Sequence, residues 1–442
     1  VVASDLVEEA PLWWFKVRQA ATKAGATSDK SCATLIVANA RETKLDPYAT
    51  HSVRYRYGDE VRTVLALTHA IVGGEAGLAA SISAQNNTRV SAAARAIAAA
   101  DNMIIIYGSE GLDFSGSSAL AQACANLLIS CGNVGRVGNG LMPVWPSNNT
   151  QGAWDVGVRP IGISVPEFTA GAEVVLLAGA DPVGDGDVLP EDAFVVVSDL
   201  FSTESVRRAD VVLPALAFAE REGSWTSGDR RVQRFYPALP PRGQALPDWK
   251  IFARLTALLG LGAAPAGAGA VMRQIAAAIP HYTGITHERL AAVEQQWPHV
   301  GGRDSYYGGT AFENSAGLGV QTPTLAEMGH VLHLGDVQSP AVASGDLLAV
   351  PVTLLYDRGS TLVRSEIMHS RLPDPYIELN VADAHLANVE SGDRVALRIN
   401  GHSWELTAHV SVRPPQGAAL LPRGLGGPLL PRITPVSLRK LA

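Results

Sequence analysis

Glycine-containing loops that follow apolar runs are the first places where this sequence offers chemistry. YGSEGLDFSG at 107–116 and AGADPVGDGD at 178–187 each follow such a run. At these points an open α/β sheet presents backbone N–H groups to phosphate, often beside the positive end of a helix. Gly108 therefore marks a candidate phosphate loop, and Asp181 is a candidate acceptor for a ribose or a guanine. Because Gly and Asp are also common in turns, an ordinary structural role is the alternative for both loops.

A third candidate is the stretch ADVVLPALAFAEREGSWTSGDRRVQRF at 209–235. It begins as an apolar run and ends as a polar loop that carries Arg230, Arg231 and Arg234. Guanidinium groups pair with phosphates and carboxylates, so this loop could hold an anionic ligand. A structural loop that belongs to the fold is the alternative.

The cysteines and histidines form no metal-binding or nucleophilic pattern. Cys32, Cys124 and Cys131 cannot supply the four thiolates of an ordinary iron–sulfur cluster. Cys124 and Cys131 share one face of a predicted helix beside leucines, and we expect them in the core. The 11 histidines lack zinc-site spacing, and no Walker loop or G-x-S-x-G elbow occurs. The sequence therefore predicts no catalytic residue and no metal ligand.

Length, composition and charge limit the class of protein. A chain of 442 residues with 47% hydrophobic residues can bury more than one core. The formal net charge of −7 includes no long basic block, which argues against nucleic acid and anionic lipid as partners. No stretch approaches the roughly 18 consecutive apolar residues of a membrane helix, so we expect no direct membrane insertion.

Short apolar runs predict the strands that must position these loops. They lie at 32–38, 102–108, 172–179, 193–199 and 209–215. Their hydrophobicity is continuous rather than alternating, which is typical of parallel strands covered on both faces. Amphipathic segments predict helices at 60–71, 118–132 and 246–260. We therefore expect an α/β region with a doubly wound, mostly parallel sheet.

After Asp346 the pattern changes to strands and tight turns. RVALRI and HSWELTAHVSV flank Asn400-Gly401, the strongest short hairpin signal. In the second segment, apolar and polar residues alternate from Trp404 to Val412, which predicts a strand with one exposed face. A second, mainly β domain therefore follows the sheet region.

The stretch at 209–235 resembles a segment of the molybdopterin oxidoreductase superfamily, in which a strand A-D-V-V-L-P leads into an acidic position and then a G-T-x-x-N-x-E-G-R-V-Q loop. The matching residues are Ala209 to Pro214, Glu222-Gly223 and Arg231-Val232-Gln233. The stretch HSRLPDPYIELNVADAHLANVESGDRVALRING is similar to the superfamily's C-terminal double-psi β-barrel. The implied domains are an α/β region at 1–280, an irregular connector at 281–345, a β-barrel domain resembling the molybdopterin dinucleotide-binding domain at 346–428, and an extended tail at 429–442.

A narrower resemblance is to the molybdopterin-oxidoreductase-like subunit of the bacterial NADH–quinone oxidoreductase, respiratory complex I. Its N-x-Q-G-A-x-D-x-G pattern is matched by Asn149, Gln151-Gly152-Ala153, Asp155 and Gly157. This resemblance implies a structural scaffold that belongs to an enzyme but carries no cofactor of its own. Iron–sulfur clusters would lie upstream of Val1 or on partner chains.

The same resemblance implies partners and a location. The partners would be the flavin- and NADH-binding subunits and the iron–sulfur subunits of the complex I peripheral arm. The location would be the cytoplasmic side of the bacterial inner membrane, or the organellar equivalent.

The superfamily resemblance also allows a fragment of a molybdenum oxidoreductase, such as a formate dehydrogenase or nitrate reductase, with a bis-molybdopterin guanine dinucleotide. The candidate contacts, vestigial if the chain is a scaffold, are Gly108, Asp181, Asp199, Thr203, Arg231 and Asn380. Ser227, Asp229 and Arg230 replace the usual Asn, Glu and Gly, and an arginine would crowd a backbone that approaches a ligand closely. The sequence therefore favours the scaffold over the molybdenum enzyme. An unrelated nucleotide-binding enzyme is a third alternative.

Overall fold

Two groups of residues form separate units, residues 1–146 with 325–442 and residues 147–324. The computed structural model describes residues 1–22, 32–73, 84–136, 138–292, 295–297, 311–313, 318–359, 361–399 and 401–441. We call the two groups the first unit and the second unit. Their limits differ from the boundaries at 280, 345 and 428, and that division into domains stays a prediction.

The α-helices are short to medium in length. They are α1 (Leu6–Glu9), α2 (Pro11–Ala21), α3 (Glu60–Val72), α4 (Ala84–Ala98), α5 (Phe114–Ser130), α6 (Thr150–Asp155), α7 (Val165–Thr169), α8 (Glu204–Arg208), α9 (Asp248–Leu258), α10 (Ala268–Ala278), α11 (His287–Leu290) and α12 (Val381–Leu386). Among the described residues, no helix combines the length and the apolar character that a bilayer-crossing segment needs.

The β-strands occur in both units. They are β1 (Ile36–Asn39), β2 (His51–Arg54), β3 (Ile104–Tyr107), β4 (Gly140–Pro143), β5 (Val174–Ala178), β6 (Phe194–Asp199), β7 (Val211–Pro214), β8 (Gly223–Thr226), β9 (Arg231–Phe235), β10 (Gln295–Trp297), β11 (Ala311–Glu313), β12 (Val320–Gln321), β13 (Leu348–Val352), β14 (Tyr376–Asn380), β15 (Arg394–Ile399), β16 (His402–Ser411), β17 (Ala418–Pro422), β18 (Thr434–Pro435) and β19 (Ser437–Lys440).

In the first unit, the apolar runs form a parallel sheet that is covered on both faces. β1 pairs with β2, β3 pairs with β4, and Val2 bridges β1 and β3. Ala38 and Ile105 face a core that also contains residues of α3, α4 and α5, whereas Val37 and Ile106 face a second core. Successive side chains of each strand thus enter different cores, which explains the continuous hydrophobicity of the runs.

The C-terminal residues of the first unit form a seven-stranded, barrel-like sheet in the order β18-β13-β17-β14-β16-β15-β19. β13 is parallel to β17 and β14 is parallel to β16, while the other pairs are antiparallel. β18 and β19 come from the predicted tail and pair with β13 and β15. The doubly wound α/β region and the barrel-like C-terminal sheet that the sequence predicts are both confirmed.

The predicted hairpin is formed by β15 and β16, whose antiparallel register runs from Arg394↔Thr407 to Ile399↔His402. Asn400 itself lies outside the described residues. Leu406 and Ala408 are buried in the core of the sheet, but Trp404 is 40% and Val412 is 85% exposed. Trp404 is close to the turn and Val412 follows the last residue of β16, so the alternation holds at the strand's centre and fails at its ends.

The second unit contains a smaller parallel sheet of β5, β6 and β7. One face is buried through Val175, Val195 and Val197. On the opposite face Val174 is 62% and Phe194 is 48% exposed, so coverage of both faces is a wrong prediction here. Beside this sheet, β8, β9 and β12 form an antiparallel sheet, and β10 pairs with β11.

Candidate functional site

Charged side chains meet at the carboxyl ends of the parallel strands in the first unit. Asp5 follows the Val2 bridge, Arg41 follows β1 and Glu110 follows β3. Their exposed fractions are only 6%, 3% and 5%. We call this place the first edge. Ligands of open α/β sheets bind at such carboxyl ends.

Arg41 places its guanidinium group against two buried carboxylates. Its Nε and Nη2 donate to the two carboxylate oxygens of Glu110 at 2.9 and 2.7 Å, and its Nη1 donates to Asp5 at 3.0 Å. The hydroxyl of Tyr57 also donates to Glu110, at 2.6 Å. Burial by itself lowers the pKa of Arg41, but the Glu110 carboxylate outweighs burial and holds that pKa above its ordinary value. The two-pronged pair fixes the loops after β1 and β3 against each other.

Glu9 lies beside this pair, and its carboxyl group holds a proton. Its carboxyl group accepts a hydrogen bond from the hydroxyl of Ser4. Burial raises the pKa of Glu9 to about 8, and the charges of Glu110 and Asp5 act in the same direction. Glu9 is therefore mostly protonated at neutral pH.

Two arginines near the C-terminal sheet complete the charge balance of the first edge. Arg413 lies 3.7 Å from Asp5 and 3.6 Å from Glu378. Burial lowers the pKa of Arg423, although the carboxylate of Glu110 and, once ionised, that of Glu9 oppose that decrease. With Glu9 protonated, three guanidinium groups face three carboxylates, namely Arg41, Arg413 and Arg423 with Asp5, Glu110 and Glu378.

Gly108 serves close packing at this edge. Its N–H donates to the carbonyl of Val2 at 2.9 Å. A side chain at this position would begin 2.5 Å from the carbonyl oxygen of Ala3. Glycine is thus needed for the approach of residues 3 and 4, and a contact between Gly108 and a cofactor stays a prediction.

The second unit has its own set of side chains at the carboxyl ends of β5 and β6, which we call the second edge. Asp181 accepts from the N–H of Ser205 at 2.7 Å and from the N–H of Gly184 at 3.1 Å. Burial raises the pKa of Asp181, but these hydrogen bonds outweigh burial, so its pKa lies below the ordinary value. Thr203 caps α8 by accepting from the N–H of Val206 at 3.3 Å. Asp181 and Thr203 are therefore committed to the loop and the helix that they begin.

Asp199, also at the second edge, uses only one of its carboxylate oxygens in a hydrogen bond to the described part of the chain. Its Oδ1 accepts from the N–H of Leu200 at 2.6 Å. Its Oδ2 has no hydrogen-bond partner in the part of the chain that the structure describes. The structure thus brings Asp181, Asp199 and Thr203 to one edge of one sheet, whereas Gly108 and Asn380 belong to the first unit.

The arginine-rich stretch contains the β8–β9 hairpin. Its arginine side chains donate hydrogen bonds to other groups of the same chain. Arg231 donates to the carbonyl of Leu318 at 3.4 Å, and Arg230 donates to the carbonyl of Thr322 at 2.6 Å. Arg234 donates to Glu222 at 3.1 Å. Each arginine therefore has an internal acceptor, which agrees with the structural alternative for this stretch.

Asn380 is also used internally. It caps α12 by accepting from the N–H of Ala382 at 2.8 Å, and its Nδ2 donates to the carbonyl of Pro414 at 2.7 Å. Both ends of its amide group are occupied. A contact with a dinucleotide stays a prediction for Asn380, as it does for Arg231.

The Asn149 motif is part of a hydrogen-bond network in the second unit, which we call the Asn149 clasp. Asn149 accepts from the N–H of Thr226 at 2.9 Å, and the Thr226 and Tyr282 hydroxyls lie 2.6 Å apart. Tyr282 donates to Asp155 at 2.9 Å, and Gln151 donates to the same carboxylate at 2.8 Å. These hydrogen bonds join α6 to β8 and to the 3-10 helix that ends at Tyr282.

Replacing Asn149 by Ala is expected to lower the free energy of unfolding by about 2 kcal/mol, because the buried N–H of Thr226 loses its acceptor. The left-handed backbone at Asn149, with φ of 58°, adds strain in the alanine variant. Urea unfolding followed by tryptophan fluorescence measures the loss. Asn149→Asp keeps the acceptor and is the control. Equal stability of the Ala and Asp variants would contradict this role.

The sequence contains signals for Arg41 and Glu110 that our prediction does not use. Glu110 lies inside the same loop as Gly108, and Arg41 follows the first apolar run directly. A charged residue just after a buried parallel strand must lie at a carboxyl edge. Among the described residues, no group of three or more His, Cys, Asp or Glu side chains could hold a metal ion.

The amino-acid sequence matches the family model described as Molybdopterin oxidoreductase over residues 2–258. It is 31% identical to F420-dependent formate dehydrogenase 2 subunit alpha of Methanococcus maripaludis, over 69% of this chain and 50% of that relative. It is 27% identical to NADPH-Fe(3+) oxidoreductase subunit alpha of Geobacter sulfurreducens, over 97% of this chain and 53% of that relative. The chain thus spans about half the length of the curated relatives it matches.

A solved structure with a similar fold is acetylene hydratase from Pelobacter acetylenicus. The two share 16% sequence identity and a TM-score of 0.58, and the match covers 89% of this chain and 67% of that chain. This likeness supports the fold alone.

These similarities correct the predicted function. The superfamily is confirmed, but the complex I scaffold is wrong, because the relatives include several formate dehydrogenase alpha subunits. The residues that carry the resemblance to complex I form the Asn149 clasp. Their pattern therefore reflects the packing of the second unit. The location at the inner membrane rests on that resemblance alone and stays a prediction.

The prediction that this chain carries no cofactor is also wrong, since the matching family points to molybdopterin. That prediction depends on crowding by Arg230. Arg230 instead adopts the left-handed backbone that glycine favours, with φ of 64°, and turns its side chain toward the carbonyl of Thr322. The arginine therefore follows the backbone course of a glycine.

Proposed function

Because the chain belongs to the molybdopterin oxidoreductase family, we propose that it is the cofactor-binding part of the large subunit of a formate-oxidising enzyme. The observation that carries this proposal is the similarity to the formate dehydrogenase alpha subunit of Methanococcus maripaludis. Oxidation of formate yields carbon dioxide, one proton and two electrons. We assign the electrons to the redox groups of a partner subunit.

The second edge supplies groups that fit the guanine end of a molybdopterin guanine dinucleotide. The spare oxygen of Asp199 can accept from a guanine N–H or a ribose hydroxyl. Gly179 follows β5 with φ of 61°, and no atom lies within 4 Å of the point where a side chain would begin. A ligand can therefore approach the backbone there. Asp181 and Thr203 position this edge and do not need to touch the ligand.

When bound, the cofactor supplies a molybdenum or tungsten centre for two-electron redox chemistry. The residues of this chain bind and orient it. At the first edge, the Arg41–Glu110 pair holds the loops after β1 and β3 in one arrangement, and Glu9 keeps a proton in the interior. Such rigid support lowers the free-energy cost of ordering a site when a ligand binds.

A second candidate is the large subunit of an enzyme that oxidises NADPH. The observation in its favour is the alignment with the Geobacter sulfurreducens relative, which extends over nearly the whole of this chain. The two candidates share a fold and a family, and they differ in the electron donor.

The donor separates the two candidates in an assay of the protein purified from its native source with its partners. Formate is expected to reduce a viologen dye, and NADPH is not. Reduction by NADPH alone would contradict the formate proposal and support the second candidate.

Replacing Asp199 by Ala is expected to lower the retained pterin about tenfold, because a hydrogen bond to a charged acceptor is lost. Extraction of the pterin followed by fluorescence measures this content. Asp192→Ala is the matched control, since Asp192 is exposed and precedes β6 at the opposite end of the strand. Equal pterin content in the Asp199 and Asp192 variants would remove Asp199 from the binding site.

A further inference from the structure

An open cavity of about 790 Å³ lies in the first unit between β2 and α4. Its lining includes neither residue of the Arg41–Glu110 pair and none of the groups that we assign to the dinucleotide. Small-molecule sites commonly have volumes of roughly 300–1,000 Å³. Most of the lining residues are polar, and they include Glu42, Thr50, His51, Arg54 and Arg89.

One wall of the cavity is built around a rigidly held arginine. Asp46 accepts from the N–H of Thr43 at 2.6 Å, from the Thr43 hydroxyl at 3.0 Å and from the Ser52 hydroxyl at 2.9 Å. Arg54 donates to the same carboxylate through its Nη2. Burial raises the pKa of Asp46, but these hydrogen bonds outweigh burial and hold its pKa below the ordinary value. Asp46 therefore stays ionised and fixes the guanidinium of Arg54.

Arg54 keeps an unused donor. Its Nη1 is shielded from water and has no hydrogen-bond partner within the described residues. A buried donor without an acceptor is unfavourable by about 1–3 kcal/mol. An anion in the cavity is a candidate acceptor for this group.

Helix α4 contributes a second arginine to the lining of the cavity. Arg89 on α4 is exposed, and no ion pair joins it to a described carboxylate. Glu42 and the hydroxyl of Thr50 also line the cavity and can accept from hydroxyl or amino groups. The cavity thus combines two guanidinium groups with neutral and acidic acceptors.

We propose that this cavity binds a phosphate ester of about the size of a nucleoside monophosphate. Two guanidinium groups in the lining of one cavity suit a tetrahedral group with three terminal oxygens, whereas one planar carboxylate is satisfied by a single arginine. The phosphate lies between Arg54 and Arg89. The sugar hydroxyls lie toward Glu42 and Thr50.

The test uses isothermal titration calorimetry on the full chain, with AMP, ribose 5-phosphate, adenosine and inorganic phosphate as separate probes at millimolar concentration. AMP and ribose 5-phosphate are expected to bind, and adenosine is not. Absence of binding by both esters overturns the proposal. Inorganic phosphate that binds as tightly as the esters also overturns it, because the site would then recognise the ion alone.

Arg89→Ala is expected to weaken AMP binding about tenfold, since one charged contact is lost. Arg95→Ala is the matched control, because Arg95 is exposed on the same helix and does not line the cavity. Arg89 is on the surface, so its removal leaves the core intact. Equal affinity of the Arg89 variant and the unaltered chain would overturn the proposal.

Discussion

Replacing Glu110 by Ala is expected to lower the free energy of unfolding by about 3–5 kcal/mol, because it breaks a buried ion pair. The substitution leaves Arg41, which is 3% exposed, with only Asp5 as a direct partner. It also removes the acceptor of the Tyr57 hydroxyl. Equilibrium unfolding in guanidinium chloride, followed by tryptophan fluorescence, measures the loss.

Two variants control this experiment. Glu110→Gln keeps an acceptor for Arg41 but removes the charge, and its loss should lie between that of the Ala variant and zero. Arg62→Ala breaks the ion pair with Asp59, in which Arg62 is 52% exposed, and should change stability by less than about 1 kcal/mol. If Glu110→Ala is as stable as Arg62→Ala, the buried pair does not hold the first edge together.

Stability is expected to fall by about 3 kcal/mol as the pH rises from about 4.5 to above 7, through the titration of Glu60. Glu60 is 1% exposed, and burial raises its pKa from 4.5 to about 7, although the Gly58 N–H opposes that increase. A raised pKa means that the folded chain binds the proton more tightly than the unfolded chain. In this window only the folded chain holds the proton, so stability decreases with pH and levels off above the folded-state pKa.

Glu60→Gln tests this pH dependence, because glutamine has the shape of the protonated acid and does not titrate. The variant should show a flatter profile of unfolding free energy against pH. Glu42→Gln, at an exposed position, should keep the profile of the unaltered chain. An unchanged profile in the Glu60 variant would show that Glu60 is not the group that titrates. Glu9, with its pKa raised from 4.5 to about 8, adds its own decrease over the same window and extends it to higher pH.

The sheet regions could be predicted from sequence because a strand that is buried on both faces has a continuously apolar sequence. β1 and β3 are continuous apolar runs, and the β15–β16 hairpin follows from Asn400-Gly401 and alternation. β4 has neither an apolar run nor an alternating pattern. It lies at the end of a glycine-rich stretch and forms through pairing with β3. The hairpin inside the arginine-rich stretch has the sequence pattern of a loop, because its strands are short and polar.

The pairing of Arg41 with Glu110 at the first edge could not be predicted, because it depends on strand order. Arg41 and Glu110 are 69 residues apart in sequence, and they meet only because Val2 joins β1 to β3. By contrast, Asp181, Asp199 and Thr203 follow strands that are neighbours in both sequence and space. Local pattern therefore groups the second edge correctly but gives no sign that Asp181 and Thr203 are bonded internally.

The predicted function failed for a related reason. The Asn149 motif looks specific because several polar residues recur at fixed spacing. Asn149 and Asp155, however, bond other elements of the second unit, and Gln151 bonds Asp155. Such a clasp is needed by any protein that packs these elements in the same way. A polar motif distinguishes one function from another only when its members keep groups free for a ligand.

The central claim, that this chain binds a molybdopterin dinucleotide, is tested most directly by metal and pterin analysis of the protein purified from its native source. The predicted result is molybdenum or tungsten in stoichiometric amount, together with an extractable pterin. Protein that is folded and carries neither metal nor pterin would contradict the claim.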